Sequence, residues 1–89
     1  MKFEVHYSNQ FHKDIELCIK RKLDMQFIKA IMQKLENGEK LSKSNHDHSL
    51  TGSYTNHREC HIKPNWLLIC KIDGNKLTFS RTGSHSDLF

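Results

Sequence analysis

Apolar and polar residues alternate over KFEVHY. Phe3, Val5 and Tyr7 fall on one side and Glu4 and His6 on the other, the two-residue period of a strand whose aromatic and β-branched content suits a pleated surface. Ser8 follows as a helix N-cap. Phe11, Ile15, Cys18 and Ile19 then recur at helical spacing while Lys13, Lys20 and Lys22 point elsewhere, so an amphipathic helix is expected over residues 9–22. Asp24 is a fresh cap candidate, and Phe27, Ile28, Ile31, Met32 and Leu35 repeat the period until Gly38, a natural stop. Residues 39–56, EKLSKSNHDHSLTGSYTN, keep no period and are rich in Ser, Asn, Asp and Gly, which marks a functional or mobile loop. Three strand-like runs follow: HRECHIK alternating, WLLICKI apolar and central in character, KLTFSRT alternating. Pro64-Asn65 and Asp73-Gly74-Asn75 supply the turns between them.

The order β-α-α-β-β-β predicts an α+β domain, with the two helices packed on one face of a small, mainly antiparallel four-stranded sheet. The opposite face and the long loop are then where chemistry can sit. Eighty-nine residues suffice for one domain, residues 1–89, able to bury roughly 60% of its unfolded surface. The longest apolar run, Trp66 to Cys70, is too short to span a membrane, and MKFEVHY has no apolar segment behind its lysine. A soluble, non-exported chain with no membrane partner is expected. Three cysteines, Cys18, Cys60 and Cys70, form no CxxC pair and suggest neither a disulfide framework nor a four-thiolate zinc site, which fits a reducing cytoplasm. The 14 Lys and Arg against 10 Asp and Glu give a net +4, so a polyanionic partner is in keeping with the charge.

The seven histidines are the compositional anomaly. His46 and His48 lie in the long loop, His57 and His61 in the second strand, and His85 beyond the last. Along an alternating strand Glu59 and His61 share a face opposite Arg58, Cys60 and Ile62. Cleaving RNA without a metal needs a base for the 2′-OH, an acid for the leaving 5′-oxygen and a cation for the extra phosphoryl charge. Histidine suits the first two because it titrates near neutrality, and arginine suits the third because its planar fork grips phosphate oxygens. Rings such as Trp66 and Phe89 are candidates to stack unpaired bases, with core packing the competing reading for Trp66. His46 and His48, two apart beside Cys60 and His61, match no zinc-finger or HExxH spacing, so no metal or other cofactor is expected. Cys60 and Cys70 fall in strand interiors, where thiols are usually inert.

The segments DHSLTGSY, HRECHIKPNWLLICKI and FSRTGSHSDLF, in that order after two N-terminal helices, resemble the YafQ branch of the RelE/ParE superfamily of bacterial toxins. The similarity spans essentially the whole chain. It implies a RelE-like fold and the toxin half of a type II toxin-antitoxin pair: an endoribonuclease that cuts mRNA in the ribosomal A site and is silenced by a cognate antitoxin. It further implies that His48, His61 and His85 form the acid-base set, that Arg81 steadies the phosphate, and that Trp66 and the terminal Phe89 matter to activity, the tail completing the site. Arg58, Lys63 and Asn65 join Trp66 and Phe89 as expected RNA contacts. Where similar toxins carry an aspartate before the tryptophan, this chain has Asn65, which transfers no proton but can orient a histidine or hold a phosphate oxygen. The ParE side shares the fold without cleaving RNA, so a non-nuclease toxin or a basic nucleic-acid-binding module is the alternative.

Overall fold

The computed structural model describes residues 3–50, 52–54 and 56–89. Its elements are β1 (Glu4–Tyr7), α1 (Asn9–Lys20), α2 (Met25–Glu36), β2 (His48–Ser49), β3 (His57–Lys63), β4 (Trp66–Asp73), β5 (Lys76–Gly83) and α3 (His85–Leu88), with 3₁₀ turns at Lys43–Asn45 and Gly52–Tyr54. Both helix starts are capped as the sequence indicates: Ser8 Oγ accepts the Phe11 N–H and Asp24 Oδ1 the Gln26 N–H. α2 ends on Gly38 at φ 72, with Gly38 N–H to Leu35 O and Glu39 N–H to Lys34 O. α1 closes with the same paired bonds, Lys22 N–H to Ile19 O and Leu23 N–H to Cys18 O, and Lys22 itself takes φ 60. The helix therefore stops at Lys20, two residues before the expected end, because a lysine occupies the left-handed position where glycine would have announced it.

Among the described residues the sheet has five strands in the order β1-β5-β4-β3-β2, not four. The extra strand is the two-residue β2 inside the loop, pairing His48 with Glu59 and Ser49 with Arg58. β1 runs parallel to β5 and every other pair is antiparallel. One face carries the main core: Phe11, Cys18, Ile28, Ile31 and Leu35 of the helices bury Cys60, Ile62, Leu68, Cys70, Leu77 and Phe79. The other face holds a small apolar patch of Leu67, Ile69 and Leu88, flanked by Leu50 and Tyr54. Each fully buried large side chain contributes ~1.5–3 kcal/mol, so the helix-covered face supplies most of the stability and leaves the other open to polar groups.

A register shift in β5 decides where the arginine goes. Cys70 pairs with Phe79 but Ile69 pairs with Arg81, which leaves Ser80 as an extra residue. Uninterrupted alternation would have put Arg81 on the side of Leu77 and Phe79. The bulge instead sets Arg81 opposite Ile69, on the face away from the main core, and turns Thr82 inward, where it is 2% exposed.

Candidate active site

β3 presents Glu59 and His61 on the open face, and its pairing with β2 sets His48 directly opposite Glu59. His48 Nε2 lies 3.3 Å and His61 Nε2 3.6 Å from the same oxygen, Glu59 Oε1. The other ring nitrogen of His48 is 2.6 Å from the His46 carbonyl, which can only accept, so Nδ1 carries a hydrogen. Nε2 is then the ring nitrogen turned toward Glu59 Oε1. The Glu59 side chain is 7% exposed, and a buried carboxylate needs polar partners close by.

His85 begins α3, whose Ser84 cap receives the Asp87 N–H. Its ring sits 5.8 Å from that of His61, which in turn is 6.4 Å from His48 and 5.3 Å from His46. Asn65 Oδ1 accepts the His85 backbone N–H at 3.0 Å, and that donor fixes which end of the amide faces the histidine. The same oxygen is 2.7 Å from His85 Nδ1, so the hydrogen of the neutral ring resides there and Nε2 is the nitrogen left for chemistry. Asn65 thus orients a histidine, one of the two roles open to it.

Arg81 binds Asp14 of α1, Nε to Oδ2 at 2.8 Å and Nη2 to Oδ1 at 3.3 Å. Its pKa is raised above the ordinary arginine value first by this hydrogen bond, and also by the Tyr54 hydroxyl. The Tyr54 ring meets His57 and Phe89 edge-on, at 5.7 and 5.8 Å between centroids. Phe89 is 64% exposed. Lys63 holds its ammonium 3.8 Å from the Phe27 ring centroid, and it lines an open groove of about 840 Å³ with Asn45, His46, His48, His61 and Pro64.

The structure brings His48, His61, His85 and Asn65 together, and it corrects Trp66. That indole is 5% exposed within the main core, and its Nε1–H donates to Thr82 Oγ1, so it offers no ring face to a base and acts as a packing anchor. Arg58 is not brought to the histidines either. It lies on the opposite side of β3 and clamps Asp47 through Nε and Nη2, pinning the loop that carries His46 and His48. Burial pushes the Cys60 thiol up to about 12 and Cys70 to about 11, which removes both as nucleophiles near neutrality. Among the described residues no cluster of three or more His, Cys, Asp or Glu is disposed to hold a metal ion.

Three residues that the sequence left without a role stand at the site, Glu59, Tyr54 and Asp14, while His46, weighed only as a metal donor, packs its ring on His61. Asp14 did leave a signal, a charge three residues after Phe11 and four before Cys18, on the apolar stripe of α1.

Two helices on one face of a mixed sheet, with a histidine cluster and a bulge-set arginine on the other, define a small α+β domain of the RelE-like kind. The family model described as the bacterial toxin of type II toxin-antitoxin systems, YafQ, matches residues 3–89, and the chain belongs to that family. The mRNA interferase toxin YafQ of Escherichia coli K12 is 40% identical over 87 residues, covering 97% of this chain and 95% of that protein. The crystal structure of YafQ from E. coli BL21(DE3) superposes with a TM-score of 0.94 at 38% identity and 99% coverage of both chains. The YafQ chain of the E. coli DinJ-YafQ toxin-antitoxin complex does so at 0.93 and 39% identity, covering 100% of this chain and 99% of that one.

Proposed function

We propose that residues 1–89 act as a single toxin domain, an mRNA interferase that works in the cytoplasm on mRNA in the ribosomal A site and is silenced by a cognate antitoxin. The observation that carries the reading is the run of ring contacts from His48 through His61 to His85 on one face, with the hydrogen placement of both outer rings dictated by fixed acceptors. The relatives named as mRNA interferase and as partner of an antitoxin support it.

The 2′-oxygen of the nucleotide before the cut attacks the phosphorus, forming the 2′-O–P bond as the P–5′-O bond breaks. His85, held through Nδ1 by Asn65, presents Nε2 to take the 2′-OH proton. The His48–Glu59–His61 group supplies the proton to the departing 5′-oxygen. Arg81 offers the donors that Asp14 leaves free to the charged phosphoryl oxygens. The products are a 2′,3′-cyclic phosphate and a 5′-hydroxyl, and no cofactor is called for. Asn65 and Lys63 serve the site from its rim.

Growth arrest on expression without a partner tests the reading, together with cleavage of a 5′-labelled message on programmed ribosomes. His61→Ala and Arg81→Ala should each cut the rate by ~10²–10⁴ while the far-UV spectrum stays native. Full toxicity in both variants would refute the site and favour a non-nuclease action.

A further inference from the structure

We infer that Asp14 is a positioning residue of the cleavage reaction: it locks the Arg81 guanidinium so that one edge is spent on the protein and the remaining donors face the scissile phosphate. This rests on the phosphate-stabilising reading of Arg81. Asp14 stands on α1, in a part of the chain remote from the histidine motifs, and is 6% exposed.

Its place follows from the end of β1. Tyr7 is the last residue to pair with β5, opposite Phe79, and beyond it no strand among the described residues adjoins that edge of β5. Two side chains complete that edge: Ser8 Oγ donates to the Ser80 carbonyl, and Asp14 Oδ2 accepts the Thr82 N–H at 3.1 Å. The same carboxylate takes Arg81 Nε–H and Nη2–H, and Gln10 Nε2 donates to Oδ1 at 3.1 Å. Four donors therefore converge on two oxygens, which holds a buried carboxylate in one pose.

A guanidinium is planar with five N–H donors in a fixed fork. Side-on capture through Nε and Nη2 sets its plane and its rotation together, and of the three remaining donors one meets the Tyr54 hydroxyl, leaving two for phosphate oxygens. A lone arginine on a bulged strand would have to be frozen into that pose as the transition state formed. Here the backbone that makes the bulge and the carboxylate that grips the side chain are joined through Thr82, so the strand irregularity and the arginine pose are set by one group. The pair is also close to neutral overall, so Asp14 restrains ground-state attraction for RNA while preserving directed donors for the charge that develops later.

The expected signature is a split between binding and rate. In Asp14→Asn one carboxylate oxygen becomes an NH₂ that cannot accept. Single-turnover kcat should fall ~10–100-fold from misorientation, whereas Kd for a message with a 2′-O-methyl group at the cut site should stay level or tighten, since a negative charge has gone. In an Arg81→Ala background Asp14→Asn should cause no further loss of kcat. A rate unchanged by Asp14→Asn, or an equal loss with and without Arg81, would overturn the inference. Arg81→Ala with native kcat would sink the reading of Arg81 itself, a distinguishable failure. Should Asp14→Asn not fold, the native protein still decides: the Arg81 Nε–H is expected as a resolved, exchange-protected NMR signal with hindered Cζ–Nε rotation, and a freely rotating guanidinium would refute the lock.

Discussion

Removing Asp87 should loosen the platform that carries His85, and the loss should depend on pH in a way that identifies its cause. α3 has four residues, far too few to hold itself together. Leu88 buries its side chain beneath it, and Asp87 supplies the rest. One carboxylate oxygen accepts the Ser84 N–H at 2.8 Å while Ser84 Oγ accepts the Asp87 N–H at 3.2 Å, a reciprocal cap. Arg21, just past α1, grips both oxygens at 2.6 and 3.0 Å. Losing such a cap in Asp87→Ala costs about 1 kcal/mol. For a domain of this size that is roughly 4–8 °C in Tm.

The Arg21 hydrogen bond, and after it the Ser84 backbone bond, hold the Asp87 carboxyl far below the usual carboxylate range. A depressed folded-state pKa means that the unfolded chain binds the proton first on acidification. The stabilisation is therefore fully present above the unfolded value of ~3.9 and is lost as pH falls through the folded one. Thermal melts of native protein, Asp87→Ala, Arg21→Ala and the double variant at pH 7 and pH 3 read this directly. The gap between native and Asp87→Ala should narrow at pH 3, and the share due to Arg21 should shrink in high salt. A gap equal at both pH values, or absent at pH 7, would refute the argument. Cleavage by Asp87→Ala should fall in parallel, because the His85 contact with Asn65 depends on the same turn.

Deleting Phe89 should leave Tm within a few degrees, since an exposed edge-on aromatic pair is worth ~0.5–1.5 kcal/mol, yet weaken cleavage ~10–100-fold if its ring stacks a base; a large Tm loss with unchanged cleavage would reverse that assignment. Trp66→Phe removes the donor to Thr82 and should cost ~0.5–1.5 kcal/mol with kcat per folded molecule unchanged, measured by urea denaturation beside the cleavage assay. Native stability with lost cleavage would restore Trp66 to the RNA.

Local signals in the sequence carried the fold well because they are local in physics. Ser8 and Asp24 cap by contacts within three residues, and Gly38 is the residue a left-handed helix end prefers. The face shared by Glu59 and His61 follows from strand alternation alone and agrees with their joint approach to His48. What escaped was nonlocal. A two-residue strand such as β2 has no period to detect, and it exists because β3 offers an edge for His48 and Ser49 to pair with. The bulge at Ser80 breaks alternation with no glycine to flag it, so the pattern of Leu77, Phe79 and Arg81 pointed Arg81 at the wrong face. Trp66 was ambiguous because an indole suits a core and a base equally well; the register shift between His61 and Lys63 accompanies its turn into the helix-covered side.

Asn65 shows how an apparent loss of chemistry can leave a site intact. The two donors it meets, the His85 backbone N–H and Nδ1–H, require only an acceptor, and an amide oxygen supplies that as well as a carboxylate does. What the amide cannot do is relay a proton or neutralise an imidazolium, so His85 must exchange protons through Nε2, toward the open side. Among the described residues the buried carboxylate that contacts these histidines is Glu59, which meets His48 and His61. The histidine rings at one end of the row thus meet a buried carboxylate, whereas the His85 ring meets an amide. On the proposed mechanism the end beside Glu59 is the one to give a proton and the His85 end the one to take it, which is the asymmetry that concerted acid-base cleavage needs.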